Sequence, residues 1–406
     1  MLINFSIQNF GSIKDKQTLS FEADRSQHLE DYYVIHTNGL RLLKLALIYG
    51  ANASGKTTIL KALDFLRTLV LNPKNQKTQT FDFEPFHFDD NTPQQNTVFE
   101  IEFIQNGMRY LYEVELNKEA IIKEELFFYD PKKSNIFKRS TDLQNKLTKI
   151  EFGNKIKISK NAEETLEYNT LWNNTVLGGF IKTNINLEKF IDVLNWFSGY
   201  LNTLINPQSN LNKELKKTLS NDQYKETLVQ ILKKADFNIS NILIKKEIIE
   251  ITENVEFEHT INQKPYTLSL NMESQGTQRY YGFAGTLLNL IKDSVLFSID
   301  ELESSLHPDL FQHFLLSFLV NSQKSQLIAT THNREILNNK DIFRNDIIWI
   351  TDKDNEDCAT VLYSLADFDT KVIRDTTNIF NAYKLGKLGG TPNLGSYYIT
   401  INDETE

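Results

Sequence analysis

Leu43-Lys44-Leu45-Ala46-Leu47-Ile48-Tyr49, running into Gly50-Ala51-Asn52-Ala53-Ser54-Gly55-Lys56-Thr57-Thr58, is the stretch that decides the fold. Its first half is a nearly continuous apolar run, the pattern of a strand buried on both faces of a parallel sheet. Its second half is a complete G-x4-G-K-T. From Gly55 onward Leu60, Leu63, Leu66 and Leu69 or Val70 form one stripe, which predicts a helix to about residue 71. Strand, glycine-rich loop and helix in that order make a phosphate cradle, because loop and helix-terminal N–H groups converge where glycines let the backbone approach. Gly50, Asn52, Ala53, Ser54, Gly55, Lys56, Thr57 and Thr58 are the candidate ATP-binding residues. Lys56 is placed to reach the β- and γ-phosphates, and the Thr57 hydroxyl to ligate Mg²⁺.

Three further motifs take their meaning from this one. An apolar strand at 295–299 ends in Asp300-Glu301; beside a P-loop, Asp300 suits a Mg²⁺ site and Glu301 a base that polarises the attacking water. Glu303, close by, reads as a surface acid or as the next candidate base. Before that strand, Glu273-Ser274-Gln275-Gly276 opens an amphipathic helix. Ser274 is a good N-cap, and Ser274 and Gly276 are also suited to present donors to a γ-phosphate held by a second copy of the chain. After it, Thr330-Thr331-His332-Asn333 follows a strand at 326–329, which puts His332 on a neighbouring strand end where it can sense the γ-phosphate. A P-loop, then Ser-x-Gly on a helix, then an acid-ended strand, then a strand-end His, is the order of ABC-type ATPases rather than of Ras-like or helicase-like P-loop proteins.

The flanking sequence fits an α/β protein: an ABC/SMC-type P-loop NTPase head of two lobes, with a mixed or parallel sheet, a β-rich N-terminal subdomain and a helical insertion. Strands are expected at 1–8, 17–21, 98–104, 108–116 and 121–129, the third and fourth joined by an Asn106-Gly107 hairpin turn. Helices are expected at 187–205 and 223–235, and strands at 242–252 and 266–270. Helix and strand then alternate: helix 277–292, strand 295–299, helix 308–320, and strands 326–330 and 346–351. The expected divisions are residues 1–130, the lobe with the P-loop; 131–240, mostly helical insertion; 241–370, the lobe with signature, acidic strand end and histidine; and 371–406, a tail.

Composition narrows the setting. The chain has 406 residues, a formal charge of −9 and 40% apolar residues, enough for a large core and too acidic for a protein coated to bind nucleic acid nonspecifically. One cysteine, Cys358, excludes an internal disulfide framework and points to a reducing compartment. No secretory signal or membrane span is expected, so the expected location is the cytoplasm. Two basic clusters, Lys132, Lys133, Lys138 and Arg139, and Lys213, Lys216 and Lys217, read as solvated surface. Asp352-Lys353-Asp354 reads as a turn before it reads as a metal site.

Together the opening NFGSIKD, GANASGKT, EIEFIQNGMRYLYEVEL, ESQGTQRYYG, IDELESSLHP, QLIATTHN and the closing YKLGKLGGTPN resemble the RloA-like and AbiL-type ATPases, related to the OLD, SMC and RecF ATPases. That resemblance implies an ATPase that closes as a homodimer, or higher homo-oligomer, around ATP. It implies control of a separately encoded effector, a Toprim-like nuclease or a toxin, in antiphage defence or abortive infection. The alternative is an SMC/RecF-like repair ATPase with DNA as its partner; a stand-alone nuclease using Asp352 and Asp354 is a third reading. Members of the group often carry Arg after the opening Asn-Phe, where this chain has Gly11, and no Q-loop glutamine stands out. The stretch after His332 is short for a fused Toprim domain, so none is expected.

Overall fold

The computed structural model describes residues 1–211, 215, 221–235, 237–245, 254–368, 378–392 and 394–395. Lys213, Lys216, Lys217 and residues 246–252 of an expected strand lie outside them. Seven strands form one antiparallel sheet: β1 (Leu2–Gln8), β2 (Gln17–Ser20), β6 (Thr97–Gln105), β7 (Met108–Leu116), β8 (Ile121–Tyr129), β9 (Lys133–Asp142) and β10 (Leu147–Phe152), in the order β10-β9-β8-β7-β6-β1-β2. The β6–β7 turn is a two-residue connection with Asn106 and Gly107 both at positive φ, as its sequence requires. A hairpin of β3 (Val34–Thr37) and β4 (Leu40–Leu43) leads into the second sheet.

That sheet has five strands, β5 (Leu45–Gly50), β14 (Leu296–Ile299), β15 (Gln326–Thr330), β16 (Ile348–Lys353) and β17 (Thr360–Ser364), in the order β14-β15-β5-β16-β17. All its pairings are parallel except β16 with β17. Every residue of β5 is buried, which is why the run carries no alternating polar face. Lys44, just before it, is also buried and gives its ammonium to the carbonyls of Leu319 and Ser322. Those carbonyls close the C-terminal end of the helix at Pro308–Asn321, where a cation is favoured.

Helix α2 (Lys56–Leu71) packs against β1, β5 and β15, so one helix joins both sheets. Leu60, Leu63 and Leu66 are fully buried, each worth about 1.5–3 kcal/mol of transfer free energy. Gln326 is a second tie, accepting from Leu2 N at 2.7 Å and donating to the carbonyls of Leu2 and Leu43. Of the other helices, α1 (Glu30–Tyr33) precedes β3. Three more, α3 (Lys160–Asn169), α4 (Val176–Ile181) and α5 (Glu188–Asn195), follow β10, and Phe190 of α5 packs on Phe137 of the first sheet. α6 (Asp222–Lys234) lies against α7 (Gln275–Lys292); α8 (Pro308–Asn321) and α9 (Ile379–Lys384) complete the set among the described residues. A small sheet of β11 (Asn241–Lys245), β12 (Asn254–Ile261) and β13 (Lys264–Ser269) precedes α7. No helix among the described residues is long and apolar enough to cross a membrane.

Three expectations need correction. The first sheet does not stop at 130, because β9 and β10 extend it to Phe152 and place two strands inside the stretch expected to be mostly helical. The helix expected at 187–205 ends at Asn195, passes through a π-turn at Trp196–Tyr200, and then runs extended. Trp196 is pinned on Phe103 with ring centroids 4.2 Å apart, and Leu201 and Ile205 bridge to Leu296 and Ile299 on the open side of β14. Buried unpaired backbone groups on that edge are costly, and pairing them outweighs the helical periodicity. Finally, Arg139 is no surface cation: it is 1% exposed, and its guanidinium lies 3.7 Å from the Glu124 carboxylate. Lys133 and Lys138 pair with Glu113 and Glu125.

Candidate functional site

The P-loop begins where β5 ends. A Cβ on Gly50 would lie 2.3 Å from Thr351 Oγ1, so only glycine fits there. Ala53 and Gly55 have φ of 62° and 101°, which turn the chain back into α2. Gly55 is the N-cap of α2; no side chain caps it and no acid occupies the first turn. Several other helices here cap their own N-termini with a side chain, as Ser274 does for α7 and His307 for α8. The first turn of α2 therefore keeps its donors and its positive end of the dipole for an anion.

Around the loop, Ser54 Oγ meets Thr351 Oγ1 at 2.6 Å, Thr360 Oγ1 donates to Ser54 O at 3.0 Å, and Thr58 Oγ1 meets Ser12 Oγ at 3.1 Å. The opening turn leans on α2 at Gly11, whose φ is +58° and whose Cβ would come 2.8 Å from Thr58 Cγ2. A larger residue at position 11 has no room in this arrangement. Asn52 and Ala53 are exposed.

Lys56 is buried and donates to the carbonyls of Gly50 and Ala51 at 2.9 and 3.0 Å. Burial pushes its pKa down, while Asp300, Glu301 and Glu303 pull the other way. Thr57 Oγ1 lies 3.1 and 3.0 Å from the two Asp300 carboxylate oxygens. Thr330 Oγ1 donates to Asp300 Oδ1 at 2.6 Å and accepts from Glu301 N at 2.8 Å. Asp300 N donates to Ile205 O at 2.7 Å, so the extended strip beside β14 fixes the strand end that carries both acids. Glu301 follows in a left-handed conformation, φ 49°, with its side chain exposed.

His332 stands at the end of β15, and its N–H donates to Glu303 Oε1. Partial burial and then the Lys56 charge lower the imidazole pKa, with Glu303 and Glu301 opposing. The ring is thus neutral near pH 7, with one nitrogen able to donate and one to accept. Glu303 is less exposed than a surface acid, and its Oε2 is buried without a partner.

The fold thus gathers the residues from Gly50 to Thr58 with Asp300, Glu301, Glu303 and His332. It does not bring Ser274 and Gly276 to them: among the described residues no hydrogen bond or ion pair joins the two groups. Ser274 Oγ accepts from Thr277 N at 3.1 Å, and its residue is exposed at the start of α7. Asp352 and Asp354 cap backbone: Asp352 accepts from Lys353 N and Gly390 N, and Asp354 from Glu356 N. Among the described residues no group of three or more His, Cys, Asp or Glu is arranged to hold a metal ion. Sequence reasoning missed Ser12, Thr330, Thr351 and Thr360, whose only signal is a hydroxyl at a strand end or turn.

A P-loop on the middle strand of a mostly parallel sheet, with an acid-ended strand and a strand-end histidine on the same side, defines a P-loop NTPase fold. Residues 45–338 match the family described as "AAA domain, putative AbiEii toxin, Type IV TA system", and the chain belongs to that family. Among solved structures it is similar to the SMC head domain from Thermotoga maritima, at 13% identity over 89% of this chain and 98% of that one, with a TM-score of 0.45. It is also similar to an SmcHead bound to the C-winged helix domain of ScpA, at 11% identity over 90% and 98%, TM-score 0.46. A third is an Smc head with an extended coiled coil bound to the C-terminal domain of ScpA, derived from Pyrococcus furiosus, at 11% identity over 95% and 98%, TM-score 0.43. The search of curated proteins gave no match.

Proposed function

We propose that the chain binds ATP with Mg²⁺, hydrolyses it at a site completed by a second copy, and uses the nucleotide to control a separately encoded effector in antiphage defence. The observation that carries the chemistry is the meeting of Thr57 Oγ1 and the Asp300 carboxylate at 3.0–3.1 Å, directly below an uncapped helix N-terminus. Those two side chains supply oxygen ligands to a hard cation, and a Mg²⁺ ion keeps waters and nucleotide phosphates as its remaining ligands. When bound, the ion would neutralise charge on the phosphates. The first turn of α2 and Lys56 hold the phosphates, Glu301 takes the proton of the attacking water, and His332 offers a neutral donor to the γ-phosphate.

Ser274 is exposed and Gly276 half-buried, and neither has a partner role in its own chain's P-loop, which supports their facing the P-loop of another copy. The resemblance to RloA-like and AbiL-type ATPases supports an effector encoded apart from this chain, and the family description, which names a toxin–antitoxin system, supports a setting in defence. Closure on duplex DNA has less behind it, since Lys133, Lys138 and Arg139 face carboxylates.

Ser274→Arg tests the composite site. It leaves the P-loop intact, so the variant binds ATP as a monomer by titration with a fluorescent analogue. It loses hydrolysis and ATP-driven association on a sizing column, because a bulky cation fills the place meant for the partner's γ-phosphate. Full hydrolysis by this variant would make Ser274 a helix cap and nothing more.

A further inference from the structure

The closing Gly-rich segment, unused so far, folds back onto the P-loop. Helix α9 packs against the short turn of helix Glu335–Asn338 that follows His332, and Asn378 Nδ2 donates to Asn338 Oδ1 at 3.3 Å. Tyr383 of α9 is buried edge-on against Tyr49, with centroids 5.9 Å apart. The Arg334 guanidinium, two residues past His332, lies 5.6 Å from the same ring. The Tyr383 hydroxyl donates to Gly390 O at 2.9 Å.

Gly389 and Gly390 make the approach feasible. Their φ values are 69° and 65°, and a Cβ on Gly390 would lie 2.6 Å from Ile350 Cγ2 and 3.4 Å from Gly50 Cα. Asp352 Oδ2 accepts from Gly390 N at 3.0 Å and Tyr363 donates to Leu388 O at 2.8 Å, which anchors the turn to β16 and β17. Gly50 is therefore held on two sides. The Gly390 turn that Tyr383 closes packs against its Cα, and its carbonyl receives Lys56 Nζ at 2.9 Å.

We propose that Tyr383, with the glycine turn it closes, is a positioning residue for nucleotide binding: it fixes Gly50, and through Gly50 the reach of Lys56, and ties both to the segment that carries His332. Tyr383 touches no phosphate itself. Its action is on the shape of the loop, so it bears on affinity for ATP more than on the rate of hydrolysis of bound ATP. The inference rests on the ATP reading of the P-loop.

Tyr383→Phe in the full chain keeps the ring against Tyr49 and Arg334 and removes only the hydroxyl bridge. The expected result is a rise in KM for ATP of about five- to tenfold, the range of one lost buried hydrogen bond, with kcat little changed. Gly390→Ala, which pushes the turn off Gly50, shifts KM in the same direction. A merely structural hydroxyl would lower the melting temperature and leave KM alone; that result, or wild-type KM in both variants, overturns the proposal. Lys56→Ala run alongside separates the two ideas. If it binds ATP like wild type, the P-loop reading itself has failed; if it loses ATP while Tyr383→Phe does not, only the positioning role has.

Discussion

Glu124 in the antiparallel sheet and Asp300 at the end of β14 are both buried carboxylates that accept a hydrogen bond from a hydroxyl, yet their remaining partners differ in kind. Glu124 accepts from Tyr112 at 2.8 Å and from Val176 N at 2.8 Å, and faces the buried Arg139. Burial pushes its pKa up to about 7, with Arg139 and then the Val176 N–H opposing the rise. Apart from the Tyr112 hydroxyl, which sits on a fully buried ring, its partners are a backbone N–H and a guanidinium locked in the core, and these cannot be exchanged. Asp300 has no ion pair among the described residues; its side-chain partners are the hydroxyls of Thr57 and Thr330. A hydroxyl turns about its own bond, so these partners can yield to a cation. The acid ringed by fixed donors holds α4 against the sheet, and the acid ringed by rotors is the one fitted to a metal-bound substrate.

The largest effect should come on the Asp300 side of this contrast. Glu301→Gln keeps shape and loses the base, so steady-state hydrolysis should fall by about 10²–10⁴-fold while ATP still binds. The variant should run as an ATP-bound dimer on a sizing column, and normal turnover would pass the role to Glu303. Next comes the Glu124 side. Glu124→Ala leaves the Arg139 charge buried without its carboxylate, which costs about 3–5 kcal/mol in denaturant unfolding. Its ATP affinity below the transition should match wild type; a loss of affinity with unchanged stability would collapse the distinction drawn here. The smallest is Lys56→Ala, which removes a cation facing the phosphates. Hydrogen bonds to charged groups are worth about 1.5–3 kcal/mol, so nucleotide titration should show affinity lower by roughly ten- to a hundredfold.

What the sequence determined by itself is what is written locally in it. The apolar run of β5, the glycine spacing from Gly50 to Gly55, the stripe on α2 and the acids closing β14 all depend on neighbours a few residues apart, and each is where its pattern places it. Periodicity and spacing encode them because a strand, a loop and a helix face are short-range objects. Tertiary structure decided the rest. The strip at Leu201–Ile205 reads as helix until the open edge of β14 claims its backbone. Arg139 reads as one of a basic cluster until β9 turns it inward onto Glu124. Glu303 reads as surface until β15 brings the His332 N–H to it, and Tyr383 has no reading at all until the turn it closes packs on Gly50. In each case the outcome was set by which donor, acceptor or sheet edge remained unpaired after the two sheets assembled. Burying such a group alone is expensive, and the residue that satisfies it comes from far along the chain, where no local spacing records it.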